Sequence, residues 1–136
     1  MEAHATFTVS HMTHIGGPPN IRAGLAITHS HMVKTFDGQI EGRALTEFTG
    51  AFNHATSTGT YVAMESFEGA VNGLEGTFLF AHINTVDHGA LRDEDHMLVI
   101  VPTSGTHELT GICGRGAIAV DDDGTHRISL SYEFTR

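Results

Sequence analysis

Two alternating runs meet at Asn72-Gly73, and no other feature narrows so far what this chain can fold into. Tyr61-Val62-Ala63-Met64-Glu65-Ser66-Phe67 leads in, and Gly76-Thr77-Phe78-Leu79-Phe80-Ala81-His82 leads out. Asn-Gly accepts the positive φ angles of a tight hairpin turn, so the two runs are expected to pair antiparallel. Successive side chains along a strand point to opposite faces. An even-membered loop at Asn72-Gly73 or Gly73-Leu74 therefore puts Glu65 and His82 on one face, directly opposite or diagonal. The rest of that face is aromatic: Tyr61, Phe67, Phe78 and Phe80. A carboxylate and an imidazole among aromatic rings form the smallest group able to move protons without a cofactor.

The remaining chain repeats the β signal. Strands are expected near 5–10, 23–36, 39–49, 60–67, 76–86, 97–101, 108–120 and 125–134. The breaks between them fall at Gly16-Gly17-Pro18-Pro19, Asp37-Gly38, Asn72-Gly73, Pro102-Thr103-Ser104-Gly105 and Asp123-Gly124. No long stretch has the 3.6-residue apolar period of a helix. One domain over 1–136 follows, with an N-terminal strand and loop over 1–22. Eight antiparallel strands of this length can close into a β-barrel, lipocalin-like in size, with an interior for side chains or one small ligand. A two-sheet sandwich is the competing arrangement.

The faces of two strands bear on the interior. In the last, His126, Ile128, Leu130, Tyr132 and Phe134 alternate with Arg127, Ser129, Ser131 and Glu133, so the first set is expected inside. In the second, Leu25, Ile27, His29, His31 and Val33 share one parity, which directs both histidines inward and Met32 and Lys34 outward. Gly111, Gly114 and Gly116 suit a bend, a bulge or the close approach of backbone.

Composition narrows the partners. Lys plus Arg number 7 against 16 Asp plus Glu, a formal net charge of −9. Such a balance disfavours nucleic acid and anionic membrane, leaving small molecules. The single cysteine, Cys113, excludes an intrachain disulfide. The N-terminus lacks the basic and apolar regions of a secretory signal, so a reducing cytoplasm is expected. Two-fold assemblies being the commonest, a homodimer is the expected oligomer if one forms.

Several strings resemble a known family. They are Val33-Lys34-Thr35-Phe36-Asp37-Gly38-Gln39-Ile40-Glu41-Gly42, Tyr61-Val62-Ala63-Met64-Glu65, Glu75-Gly76-Thr77-Phe78 with His82, and Val101-Pro102-Thr103-Ser104-Gly105-Thr106 leading to Glu108-Leu109-Thr110-Gly111. Together they resemble a small bacterial family catalogued as a domain of unknown function, DUF3224, over roughly residues 25 to 134. The resemblance implies a fold similar to the allene oxide cyclase barrel, whose wider group includes cofactor-free enzymes that cyclise or isomerise small substrates. It implies Glu65 and His82 as site residues. This chain departs from the pattern at Ser66, where a basic residue is common, and in His29, His31, His88 and His96.

The expected function is a cofactor-independent cyclase, isomerase or lyase acting on a largely apolar, oxygen-bearing substrate. Glu65 and His82 would exchange protons as a coupled pair. Tyr61, Tyr132, His29, His31 and Phe80 would line the substrate, with a tyrosine hydroxyl orienting its oxygen. The plainer alternative is a structural ion pair inside a barrel that binds a ligand without turnover. A third reading takes His29 and His31, two apart on one strand, and adds His82 to make a cupin-like divalent metal site. Spacing argues against it, because Glu41 lies too far from His31 for the usual acidic ligand, and neither cofactor nor metal is expected. No nucleophile elbow, phosphate loop or complete calcium loop accompanies Ser104, the glycines or Asp121-Asp122-Asp123-Gly124.

Overall fold

The computed structural model describes residues 1–17 and 19–135. Pro18, part of an expected turn, and Arg136 lie outside the described residues. The strands are β1 (Glu2–Ile15), β2 (Thr28–Gly38), β3 (Ile40–Asn53), β4 (Thr58–Val71), β5 (Leu74–Asp87), β6 (Ala90–Leu91), β7 (Met97–Ile100), β8 (Ile112–Val120) and β9 (His126–Phe134). They form one antiparallel sheet in the order β4-β3-β2-β1-β9-β8-β7-β5-β6. Because β5 also pairs with β4, eight of the nine strands hydrogen-bond in a ring. Among the described residues, only two three-residue 3-10 turns interrupt the strands, and no helix is long and apolar enough to cross a membrane.

The hairpin at Asn72-Gly73 forms as its sequence dictates. Val71 pairs with Leu74, and both corner residues have positive φ, 48° for Asn72 and 83° for Gly73. In β9, Ile128, Leu130 and Tyr132 are buried while Arg127, Ser131 and Glu133 face solvent. Gly114 marks a close approach: its φ is 143°, and a Cβ there would lie 2.2 Å from the Ser131 carbonyl oxygen. At one end the ring is packed with hydrocarbon. Phe67 and Phe78 lie 5.1 Å apart by ring centroid and Phe36 meets Phe67 edge-on at 5.7 Å, with Ile40, Val71, Leu109, Ile112 and Leu130 filling between them.

Three segments depart from expectation. Residues 107–109 make a 3-10 turn, with His107 at φ 52°, so the strand expected from 108 begins only at Ile112. β1 runs on to Ile15 through a register shift between Ser10 and Thr13. The largest correction concerns β2, which starts at Thr28 and leaves Leu25 and Ile27 in the preceding loop. Its buried residues are Ser30, Met32, Lys34 and Phe36, while His29 and His31 are exposed. Phe36 sets this parity, because it pairs with buried Phe7 of β1 and belongs to the apolar core. Moving one residue along would turn every side chain to the other face.

Candidate functional site

Four consecutive strands bring four polar side chains together inside the ring. Lys34 of β2 pairs with Ala44, Met32 with Thr46, Thr46 with Glu65 and Glu65 with Phe80, which leaves His82 diagonal to Glu65 across from Ala63. Glu65 Oε2 accepts from Lys34 Nζ at 2.9 Å and from His82 Nε2 at 2.5 Å, and Oε1 accepts from the Thr46 hydroxyl at 2.7 Å. All four residues are buried, and Glu65 has no accessible surface. Lys34 also stands over the Phe7 ring, 5.1 Å from its centroid.

The charges settle the protonation of the group. Burial is the largest single influence on Glu65 and pushes its pKa up. The hydrogen bond from His82 and the Lys34 charge together outweigh it, so the carboxyl sits below the ordinary glutamate range and is ionised. Donating to a carboxylate, His82 carries its proton on Nε2. Its other ring nitrogen, Nδ1, is buried and has no hydrogen-bond partner. In the neutral imidazole that atom is a bare acceptor.

A second polar row lies beside the first. Tyr61 pairs with Asn84, whose amide Nδ2 donates to the Tyr61 hydroxyl at 3.2 Å while Oδ1 stays buried and unpartnered. Burial raises the Tyr61 phenol's pKa; the Asn84 hydrogen bond opposes the shift and the Glu65 charge adds to it. The phenol keeps its proton. His96 Nε2 accepts from the Ile118 backbone N–H at 3.0 Å, and burial, then the nearness of His82, holds its pKa below the usual imidazole value.

Residues 3–132 match a family model described as "Protein of unknown function (DUF3224)". The chain belongs to this family. It is similar to the crystal structure of a protein of unknown function from the DUF3224 family of Shewanella oneidensis MR-1. The two are 28% identical, with a TM-score of 0.84 over 100% of this chain and 98% of that one. No functionally curated protein matches. Membership of DUF3224 brings no reaction with it, so the side chains must carry the functional argument.

In this DUF3224 chain the residues singled out from sequence divide sharply. Tyr61 lies edge-on to the His82 ring at 5.4 Å, and Phe80 is stacked on it at 6.2 Å. Tyr132 is inside but at the opposite end, where its hydroxyl meets the Asn72 amide of the β4–β5 turn at 2.7 Å. His29 and His31 do not face inward as expected. His29 Nδ1 meets the Thr49 hydroxyl at 2.9 Å and His31 approaches Glu47 at 3.6 Å, both on the outer wall. With His82 inside, the three imidazoles of the metal reading do not converge. Among the described residues no group of three or more His, Cys, Asp or Glu is placed to hold a metal.

Lys34, Thr46, Asn84 and His96 were not among the expected site residues. Asn84 follows His82 by two along β5 and was open to the same alternation argument. Lys34 and Thr46 follow from the Asp37-Gly38 turn once Phe36 is taken as inward.

Proposed function

We propose that the ring is a closed β-barrel, similar to the allene oxide cyclase barrel, whose polar end acts without a cofactor on a small, largely apolar, oxygen-bearing molecule. The reaction is a proton transfer that leads to isomerisation, cyclisation or elimination. One observation carries this reading: every polar atom of Glu65 is engaged, whereas His82 Nδ1, on the opposite side of the same imidazole, is free. His82 is therefore the group that takes and returns the proton. Glu65 is a positioning residue that fixes the imidazole tautomer and steadies the imidazolium once formed, as the carboxylate does in a catalytic triad. Lys34 helps to keep Glu65 ionised, and the Thr46 hydroxyl holds it in place.

A positioned base of this kind supplies about 100- to 10,000-fold in rate. Tyr61 and Phe80, packed on the His82 ring, provide the apolar wall; Tyr132 is too deep in the opposite end to share the task. The partner in this reading is a small molecule. A homodimer would form through the outer wall, where Val62, Met64 and Met97 are exposed around Ile83.

The test is to screen oxygenated apolar compounds for binding by thermal shift and to follow the binders for turnover by NMR. His82→Asn is expected to keep binding and lose turnover by about 100-fold or more, and Glu65→Gln to lose less. Unchanged turnover in His82→Asn removes the assigned role. The complete pairing of Glu65 equally suits a barrel that carries its ligand unchanged, and wild-type protein that binds compounds but converts none would favour that second reading.

A further inference from the structure

The row above His82 holds groups that the proton transfer does not use. Tyr61 and Asn84 face each other across β4 and β5, and His96 occupies the next register position beyond the Ile83–Met97 pair, beside Asn84. His96 shares parity with buried Leu98 and Ile100, so it belongs to the inner face. Buried polar atoms without partners are rare in folded proteins, yet two occur here on neighbouring inward positions of one strand, His82 Nδ1 and Asn84 Oδ1.

Hydrogen-bond chemistry then assigns each atom a sense. Asn84 Oδ1 can only accept, and neutral His82 accepts at Nδ1. The Tyr61 hydroxyl accepts from Asn84, so its own proton is free to donate. His96 accepts at Nε2 from Ile118, so its proton is on Nδ1. Two bare acceptors thus lie beside two free donors. Alongside, Phe48 is stacked on Tyr61 at 4.8 Å and on Phe52 at 6.1 Å, and both phenylalanines are only half buried.

We propose that this end of the ring recognises a neutral hydroxy-carbonyl compound with a planar apolar body, an assignment that rests on the acid–base reading of His82. The hydroxyl of the guest donates to Asn84 Oδ1, its carbonyl accepts from Tyr61 and His96, its body lies along Phe48 and Phe52, and the carbon bearing the hydroxyl faces His82 Nδ1, whose lone pair stays free as the base. Charge selects against anions. Two bare acceptors repel them, the Lys34 ammonium is committed to Glu65, and the chain carries a net charge of −9. A carbonyl next to the carbon bearing the hydroxyl also acidifies the C–H there, giving His82 a proton to remove.

The experiment titrates the intact protein calorimetrically with α-hydroxyacetophenone, with acetophenone, which lacks the hydroxyl, and with mandelate, which carries a charge. The hydroxyketone is expected to bind roughly tenfold tighter than acetophenone, and mandelate weaker than either. Asn84→Leu should erase the preference between the two ketones, and Tyr61→Phe should weaken both without changing their ratio. Equal affinity for the ketones, tighter binding of mandelate, or no binding of any probe overturns the assignment. If Asn84→Leu does not fold, Tyr61→Phe decides alone, because ketone affinity that survives loss of the hydroxyl also overturns it.

Exchange of the carbinol C–H for deuterium, followed by NMR in heavy water, separates the two readings. Selective binding without exchange leaves the recognition standing and overturns proton transfer by His82. Exchange without selectivity does the reverse.

Discussion

The two ends of the ring share the same hydrogen-bonded wall and the same alternation of side chains, yet they hold together by different physics. At the end closed by the Asn72-Gly73 turn, Phe36, Phe67, Phe78, Ile112 and Leu130 gain stability by leaving water, an effect proportional to area and indifferent to direction. At the other end Lys34, Thr46, Glu65 and His82 are as deeply buried, but each is tolerated only because a particular atom of another meets it. The apolar end can lose a contact and remain the same kind of place. The polar end changes its chemistry whenever one partner goes, and a site for chemistry needs that property.

Breaking the apolar end should give the largest loss of stability. Phe78→Ala removes a ring that is 1% exposed and packed on Phe67 and Phe80, which should cost about 3–5 kcal/mol in urea denaturation. The His82 environment, followed by its imidazole NMR shifts, should change little. Lys34→Met tests the polar end by leaving Glu65 buried without its cation, at a cost of about 3 kcal/mol. Adding Glu65→Gln to that variant should recover about 1–2 kcal/mol, because a neutral amide no longer needs the ammonium. If the double variant is no more stable than Lys34→Met alone, the ion pair is not what holds this end.

How far the sequence discloses each end follows from the same contrast. The hairpin, its turn, the common face of Glu65 and His82, and the inward set of β9 were legible because alternation and an Asn-Gly turn are local. The orientation of β2 was not. Leu25, Ile27 and Val33 suggest one parity, but the first two precede the strand, and Phe36 sets the other. A lysine is so seldom buried that Lys34 becomes readable only with its carboxylate in place. Tyr132 shows a different limit: alternation tells that a side chain is inside, but its depth along the ring depends on long-range register, here disclosed by its bond to Asn72.

Acidity sharpens the comparison without altering the apolar end. Glu65 has a folded pKa below its unfolded value, so it contributes stability above the ordinary glutamate pKa of about 4.3 and loses it as pH falls through the lower folded value. Urea melts of wild type and Glu65→Gln between neutral and strongly acid pH should therefore converge as the pH drops. A gap that stays constant through that window would mean that Glu65 is not held ionised by its neighbours.

The smallest effect belongs to a polar contact at the apolar end. Tyr132→Phe keeps the ring and its edge-on packing against Phe134, and removes only the hydroxyl that meets Asn72, so about 1 kcal/mol should be lost. Asn72 also donates to the Glu2 carbonyl, which leaves its amide partly satisfied and limits the cost. Ligand binding and turnover at the His82 end should be unchanged, since the two hydroxyls of Tyr61 and Tyr132 serve opposite ends of the ring. A change in ligand affinity from Tyr132→Phe, with stability intact, would show that the two ends are coupled and that the division between them is wrong.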